Sequence, residues 1–292
     1  MSVDVLRSKI RKLKNPSVID FSLPVDQLPP RILGEEGSPA RAMVRFCSDL
    51  LRGLKESVPA VRMGFASFAM LGTDGLDALS QVLHIAKAAG FYVILDAPEL
   101  RSPGVAAAVA KGLLGEGSAY PCDALVVESY AGSDLIKPFL PYCKEGKAIF
   151  CVVRTANKSG AELQDLLSGT RLVHAAAADL VNRFAGDTMG KSGYSHVAAL
   201  AGASSAESLR NLRAKYPKLF LLVDGYDYPN ANAKNCSYAF DRFGLGAVAC
   251  AGTSVTCAWQ QAEPGDDRDY VEHAKDAAAR MKKNLTRYIT IL

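Results

Sequence analysis

The chain has 292 residues, 49% of them hydrophobic and 22% charged, with 34 basic against 30 acidic side chains for a net charge of +4. This is the balance of a soluble globular protein with a substantial core, and a charge this weak and scattered argues against a nucleic-acid partner. No run approaches the ~20 apolar residues that cross a bilayer, and the opening segment MSVDVLRSKIRKLKNPSV is charged and amphipathic, without the apolar centre of a signal peptide.

In chain order, residues 2–14 read as an extra helix placed to close a barrel floor. Eight short apolar runs follow as strands: SVIDFS (17–22), AVRMGFA (60–66), FYVILD (91–96), DALVVE (123–128), AIFCVVR (148–154), HVAALA (196–201), LFLLVD (219–224) and AVACAG (247–252). They are rich in Val, Ile, Leu and Phe with little strict alternation, as strands buried on both faces should be. Segments of helical periodicity separate them at 40–56, 74–89, 103–114, 132–141, 160–184, 205–215, 233–243 and 268–287. Capping boxes fall at Ser159-Gly-Ala-Glu162 and Ser204-Ser-Ala-Glu207. Strict alternation at this length predicts an α/β fold, a (β/α)8 TIM barrel with an extra N-terminal helix. No linker or composition shift divides residues 1–292, so a single domain is expected, with the barrel proper over about 17–287.

Active sites of such barrels lie at the C-terminal strand ends. Those ends carry Asp20 and Ser22, Arg62, Asp96, Glu128, Arg154 and Asp224, polar residues finishing greasy strands. Any one of them could be a solvated loop start; their recurrence on one rim predicts a charged pocket.

Other signals are weaker. Gly190-Lys191-Ser192 lacks the upstream glycine of a phosphate loop, since Ala185 stands there, and it follows a helical segment. Gly244-Leu-Gly246 precedes a strand, the wrong order for a dinucleotide fingerprint. His84, His174, His196 and His273 have no metal-ligand spacing. The first, second and fourth are expected on helices at surface or boundary positions, and His196 at the barrel end opposite the chemistry. The seven cysteines (Cys47, Cys122, Cys143, Cys151, Cys236, Cys250, Cys257) follow no paired spacing and read as buried thiols of a reducing cytoplasm. Cys151 and Cys250, inside apolar strands, are expected to pack and not to react. No metal or cofactor site is predicted.

The segment FYVILDAPELRSPGVAAAVAKGLL resembles the third strand and following loop of the orotidine 5′-phosphate decarboxylases, where the family signature is Asp-Ala-Lys-Arg-Gly-Asp. DALVVESYAGSDLIKPFL is similar to the family's "DAvTVnPYLGxDslxPFL", AIFCVVRTANKSGAELQDL to "gvFVLvRTSNPsaxdlQdl", and ALAGASSAESLRNLR to "VVGATxPxeLxxlR". LVDGYDYPN stands where the family has a Pro-Gly-x-Gly-Ala-Gln-Gly phosphate loop. The resemblance runs from about residue 17 to 287, and the long "RTSNP" strand points to the bacterial branch of slightly larger enzymes.

The resemblance implies a TIM barrel, a homodimer, no metal and no cofactor, and decarboxylation of orotidine 5′-phosphate to uridine 5′-phosphate in pyrimidine biosynthesis. It also implies a Lys-Asp-Lys-Asp network, whose second lysine protonates the ring carbanion. Position by position, the network falls on Arg62, Asp96, Pro98 and Arg101, so only Asp96 is kept. The Asp of the first-strand motif falls on Ser22, and the pyrimidine-contacting Ser on Ala156. The phosphate-loop glycines fall on Asp227, Asn230 and Ala231, with Asp224 replacing its proline, and the phosphate-pairing arginine falls near Gly252. Gly132, Pro138, Phe139, Arg154, Thr155, Asn157, Gln164 and Gly202 are kept.

Three readings follow. In the first, the barrel has lost the family reaction and binds another small molecule or a partner through Ser22, Arg62, Glu99, Glu128, Arg154 and Asp224. In the second it still decarboxylates, with a displaced proton donor such as Lys158. In the third, Asp96, Glu99, Glu128 and Asp224 serve a new acid/base or divalent-metal chemistry, with a structural ion-pair network as the bland counterpart.

Overall fold

The computed structural model describes residues 2–98, 100–261 and 267–292. Eight parallel strands close into a barrel: β1 (Ser17–Asp20), β2 (Ala60–Gly64), β3 (Tyr92–Asp96), β4 (Ala124–Val127), β5 (Ala148–Arg154), β6 (Val197–Gly202), β7 (Leu221–Asp224) and β8 (Ala247–Ala251). Each pairs with the next in chain order, and β8 returns to β1. The principal helices are α1 (Ser2–Leu13), α2 (Pro39–Leu54), α3 (Gly72–Ala88), α4 (Pro103–Leu114), α5 (Val173–Asn182), α6 (Ala206–Lys215) and α7 (Tyr270–Thr286). The (β/α)8 barrel with an added N-terminal helix is therefore the observed fold. Among the described residues no helix is long and apolar enough to cross a membrane.

Period-2 alternation divides each strand between two cores. Val18, Ala60, Tyr92, Ile94, Val126, Phe150, Leu200, Leu222 and Val248 point inward and pack together, and α1 plugs the floor beneath them with Val3, Leu6 and Ile10. Ile19, Val61, Val93, Leu125, Ile149, Ala199, Val223 and Ala249 point outward against the helices. On α2 the buried set Met43, Phe46, Cys47, Leu50, Leu51 and Leu54 recurs every three or four residues, which makes one helix face the partner of that outer layer. The floor is also polar at one point: Ser2 Oγ is 2.6 Å from the Tyr92 hydroxyl, and the Val3 amide donates to His196 Nδ1 at 3.3 Å.

Several expected helices are shorter than their periodicity. Residues 160–184 break into a turn of helix (Ala161–Gln164), an antiparallel hairpin (Leu167–Ser168 with Arg171–Leu172) and α5, because Gly169 takes a φ of 65° at the hairpin tip. Residues 132–141 form two 3₁₀ turns before Leu140–Lys144, since Pro138 and Pro141 interrupt regular hydrogen bonding. Of 233–243 only Ala233–Ser237 is helical. The expected capping boxes also shift. Ser205, not Ser204, caps α6 by accepting from the Ser208 amide, and Ser159 caps nothing, its hydroxyl accepting from the Asn157 amide group.

The backbone of β6 approaches the loop after β5 closely at Gly202, where an added Cβ would lie 2.6 Å from both Thr155 O and Ala156 Cα. That loop is fixed in turn by the Thr155 amide donating to Gln164 Oε1 at 2.9 Å, so it cannot retreat. Gly202→Ala is expected to cost about 2 kcal/mol, read as a lower urea midpoint with an unchanged slope.

Candidate functional site

Asp20, Arg62, Asp96 and Asp224 all occupy the inward parity of their strands, and register sets Asp20 opposite Arg62 on the β1–β2 pair. Arg62 is 9% exposed and crosses the mouth as its central cation. Its Nη2 meets Asp96 Oδ2 at 2.6 Å while Nε lies 3.1 Å from both Asp96 oxygens, and Nη1 reaches Asp224 Oδ1 at 2.7 Å and Asp20 Oδ2 at 3.5 Å. A buried charge needs this matching, because an uncompensated one costs several kcal/mol. Burial drives Asp20 up from the usual 3.8 to about 6, against the pull of Arg62 and of the Ser22 side chain; the Ser22 amide also donates to its Oδ1. Burial raises Asp96 as well, while its three carboxylate neighbours hold the guanidinium firmly protonated.

Above this cluster opens a cavity of about 710 Å³. Phe65, Ala97, Pro98, Leu100, Val126, Val152 and Leu200 make its walls apolar, and Ser22, Ser67 and Thr155 add hydroxyls. Its charged lining among the described residues is Arg62, Asp96, Glu128 and Asp224, and no lysine lines it. Glu128 Oε1 accepts from the amides of Ser129 and Tyr130 at 2.7 and 2.9 Å, so one carboxylate oxygen shapes its own loop.

The structure thus gathers Ser22, Arg62, Asp96, Glu128 and Asp224 into one mouth and leaves Arg154 out. By strict alternation Arg154 would share the inward parity of Phe150 and Val152. A bulge between Val152 and Arg154 sets Arg154 opposite the outward-facing Ala201, and re-aims it. There its Nε and Nη2 take both oxygens of Asp165, at 3.0 and 2.8 Å. Glu99 lies outside the described residues. Arg101 is exposed in the loop before α4, and Lys158 sits in an exposed 3₁₀ turn away from the cavity lining.

His174, expected at a surface or boundary, is buried. Its Nδ1 is 3.1 Å from Asp165 Oδ1 and 2.9 Å from Gln164 O, and its Nε2 is 2.9 Å from Ser208 Oγ. Ser208, His174 and Asp165 make the hydrogen-bond chain of a hydrolytic triad, one that no spacing in the sequence marks. Ser208 is itself buried, on the first turn of α6, so the chain serves as a clamp between helices and has no substrate access.

Beside the mouth, the Asp227 carboxylate accepts from the Gly252 amide at 2.6 Å, from the Ser254 amide at 3.3 Å and from the Ser254 hydroxyl. The Asp20 and Asp224 carboxylates and the Cys250 thiol lie within 4.8 Å of one another, a spacing that could suit a metal ion. Arg62 stands between the two carboxylates, however, and burial holds the Cys250 thiol well above its usual range, so a cation would have to displace the guanidinium.

Comparison with known proteins places this geometry in a family. The chain is 30% identical over 256 residues to an orotidine 5′-phosphate decarboxylase of Rhodopirellula baltica, covering 85% of each chain. The chain belongs to the orotidine 5′-phosphate decarboxylase family. A decarboxylase of Clostridium novyi is 25% identical over 288 residues, 98% of both chains. The solved OMP decarboxylase of Leishmania donovani superposes with a TM-score of 0.73 at 23% identity, covering 97% of this chain and 100% of that one. The orotidine 5′-monophosphate decarboxylase of Plasmodium berghei gives 0.79 at 13% identity and 99% of both. No protein-family model matches the chain.

The two arginine clusters of this decarboxylase-family barrel should respond differently. Asp20 is destabilising when ionised: its contribution is full below pH 3.8 and is lost as pH rises through about 6. Asp20→Asn should therefore raise Tm at pH 8 by about 2–4 °C and leave it unchanged near pH 4. Asp165→Asn strips a buried guanidinium of its partner and should cost about 3 kcal/mol in denaturant unfolding at pH 7.

Proposed function

We propose that this barrel keeps the family scaffold without decarboxylating orotidine 5′-phosphate, and that its mouth binds a small, non-phosphorylated molecule with an apolar body and a cationic group. The observation that carries this reading is the lining of the cavity. Its cation, Arg62, is committed to three carboxylates, and no lysine lines it among the described residues. The resemblance puts the proton donor at Pro98, which has no proton to give. Arginine, which holds its proton far more firmly than lysine, is too weak an acid to take over.

The phosphate grip is replaced in the same way. Where the family sequence has phosphate-loop glycines, Asp227 stands and already takes the Gly252 and Ser254 amides. A dianion would meet two carboxylates, Asp224 and Asp227, in place of donors. Asp96, Glu128 and Asp224 outnumber the single guanidinium at the cavity wall, a charge balance that favours a cation. The proposal retains the homodimer implied by the resemblance.

Purified protein is expected to form no uridine 5′-phosphate from orotidine 5′-phosphate; turnover at about 1 per second or faster would overturn the proposal. Pro98→Lys combined with Arg101→Asp should remain nearly inactive, since network residues act as a unit and the phosphate side stays acidic. In calorimetry, aromatic amines should bind more tightly than nucleoside monophosphates, and Mg²⁺ should give no saturable heat.

A further inference from the structure

A second pocket lies on the outer face of the barrel, where the loop after β7 meets α7. It has a volume of about 300 Å³, and its polar lining is Tyr226, Asn232, Lys234, Asn284, Arg287 and Tyr288, with no carboxylate. Neither the Lys234 ammonium nor the Arg287 guanidinium has an ion-pair partner among the described residues, whereas Arg45, Arg62, Arg154 and Arg171 all do. Lys283 stands one turn before Arg287 on α7, and Arg280 a further turn back, so the helix face leading to the pocket is cationic. The Tyr288 ring is 54% exposed, and Tyr226 is half-buried with the Asn284 side chain at its hydroxyl.

We propose that this pocket binds a small oxyanion carried on a flat ring, an aryl phosphate or carboxylate. Arg287 and Lys234 would hold the oxyanion, the guanidinium through paired N–H donors and the ammonium as a point charge. The Tyr288 face would take the ring, and the Asn232 and Asn284 amides remain as hydrogen-bonding neighbours. The pocket also adjoins the mouth through the chain itself. The Tyr226 amide donates to Cys250 O at 3.1 Å, and the same loop carries Asp224 and Asp227 to the mouth side. The site is separate from the cavity of the proposed function and stands or falls independently of it.

Calorimetry on the full chain, with inorganic phosphate, phenyl phosphate and benzoate as probes, tests the assignment. Phenyl phosphate is expected to bind with a Kd of about 1 mM or tighter, and about tenfold more tightly than inorganic phosphate. The relative affinity of benzoate tells whether phosphate or carboxylate is the preferred oxyanion. Lys234→Gln with Arg287→Gln should weaken phenyl phosphate at least about tenfold. Both side chains are exposed and unpaired, so the fold should survive, as circular dichroism would verify. Tyr288→Ala should erase the advantage of phenyl phosphate over inorganic phosphate, and Lys111→Gln, an exposed lysine of α4 outside the pocket, should leave phenyl phosphate binding unchanged. Absence of saturable heat with phenyl phosphate up to about 10 mM would overturn the proposal, as would unaltered binding in the double variant or an equal loss in Lys111→Gln.

Discussion

The buried guanidinium of Arg62 organises the mouth of this barrel. It cannot shed its proton, so it must be matched, and the matching carboxylates come from β1, β3 and β7, strands on different sides of the ring. The ion cluster therefore ties the barrel together across its open end, as the apolar side chains of α1 do at the floor. It also leaves the mouth with more negative than positive groups. Burial resists ionising all of them, which is why Asp20 and Asp96 shift upward while the guanidinium stays charged.

Arg154 shows how little residue type alone determines. It ends β5, whereas Arg62 sits in the middle of β2, and it pairs with a carboxylate just as tightly. One extra residue in β5 turns it away from the barrel axis, where with Asp165, His174 and Ser208 it fastens the loop after β5 to α5 and α6. One arginine closes a pocket floor and the other fastens a loop to the surrounding helices.

Much of this was readable from the chain. Inward parity at Asp20, Asp96 and Asp224 follows from a period of two along strands that end on the first charge after an apolar run. Arg62, expected at a strand end, is the middle residue of β2 and reaches the mouth through the length of its side chain. What resisted reading had physical causes. The β5 bulge leaves no trace in a run as uniform as AIFCVVR, because either parity buries equally apolar residues. The hairpin at 167–172 depends on Gly169 in a left-handed conformation, within a stretch whose periodicity equally suits a helix. The Asp165–His174–Ser208 chain joins residues from separate elements, and only tertiary packing brings them together. The cationic pocket beside α7 likewise needs Lys234 and Arg287 to meet across 52 intervening positions. The family resemblance supplied the scaffold.

The carboxylate of Asp227 makes the loops around the mouth self-sufficient. Backbone amides at Gly252 and Ser254 have an acceptor from the chain's own side chain, so Asp227 fastens the loops after β7 and β8 to each other. Where a phosphate draws such loops together, part of the ligand's interaction energy is spent on ordering them. Here that ordering belongs to folding. A molecule entering this mouth meets a rim already set, so its affinity depends on the fit of its body to the walls and of its charge to Arg62 and the surrounding carboxylates. Exchange of these loop amides with solvent is then set by the Asp227 carboxylate.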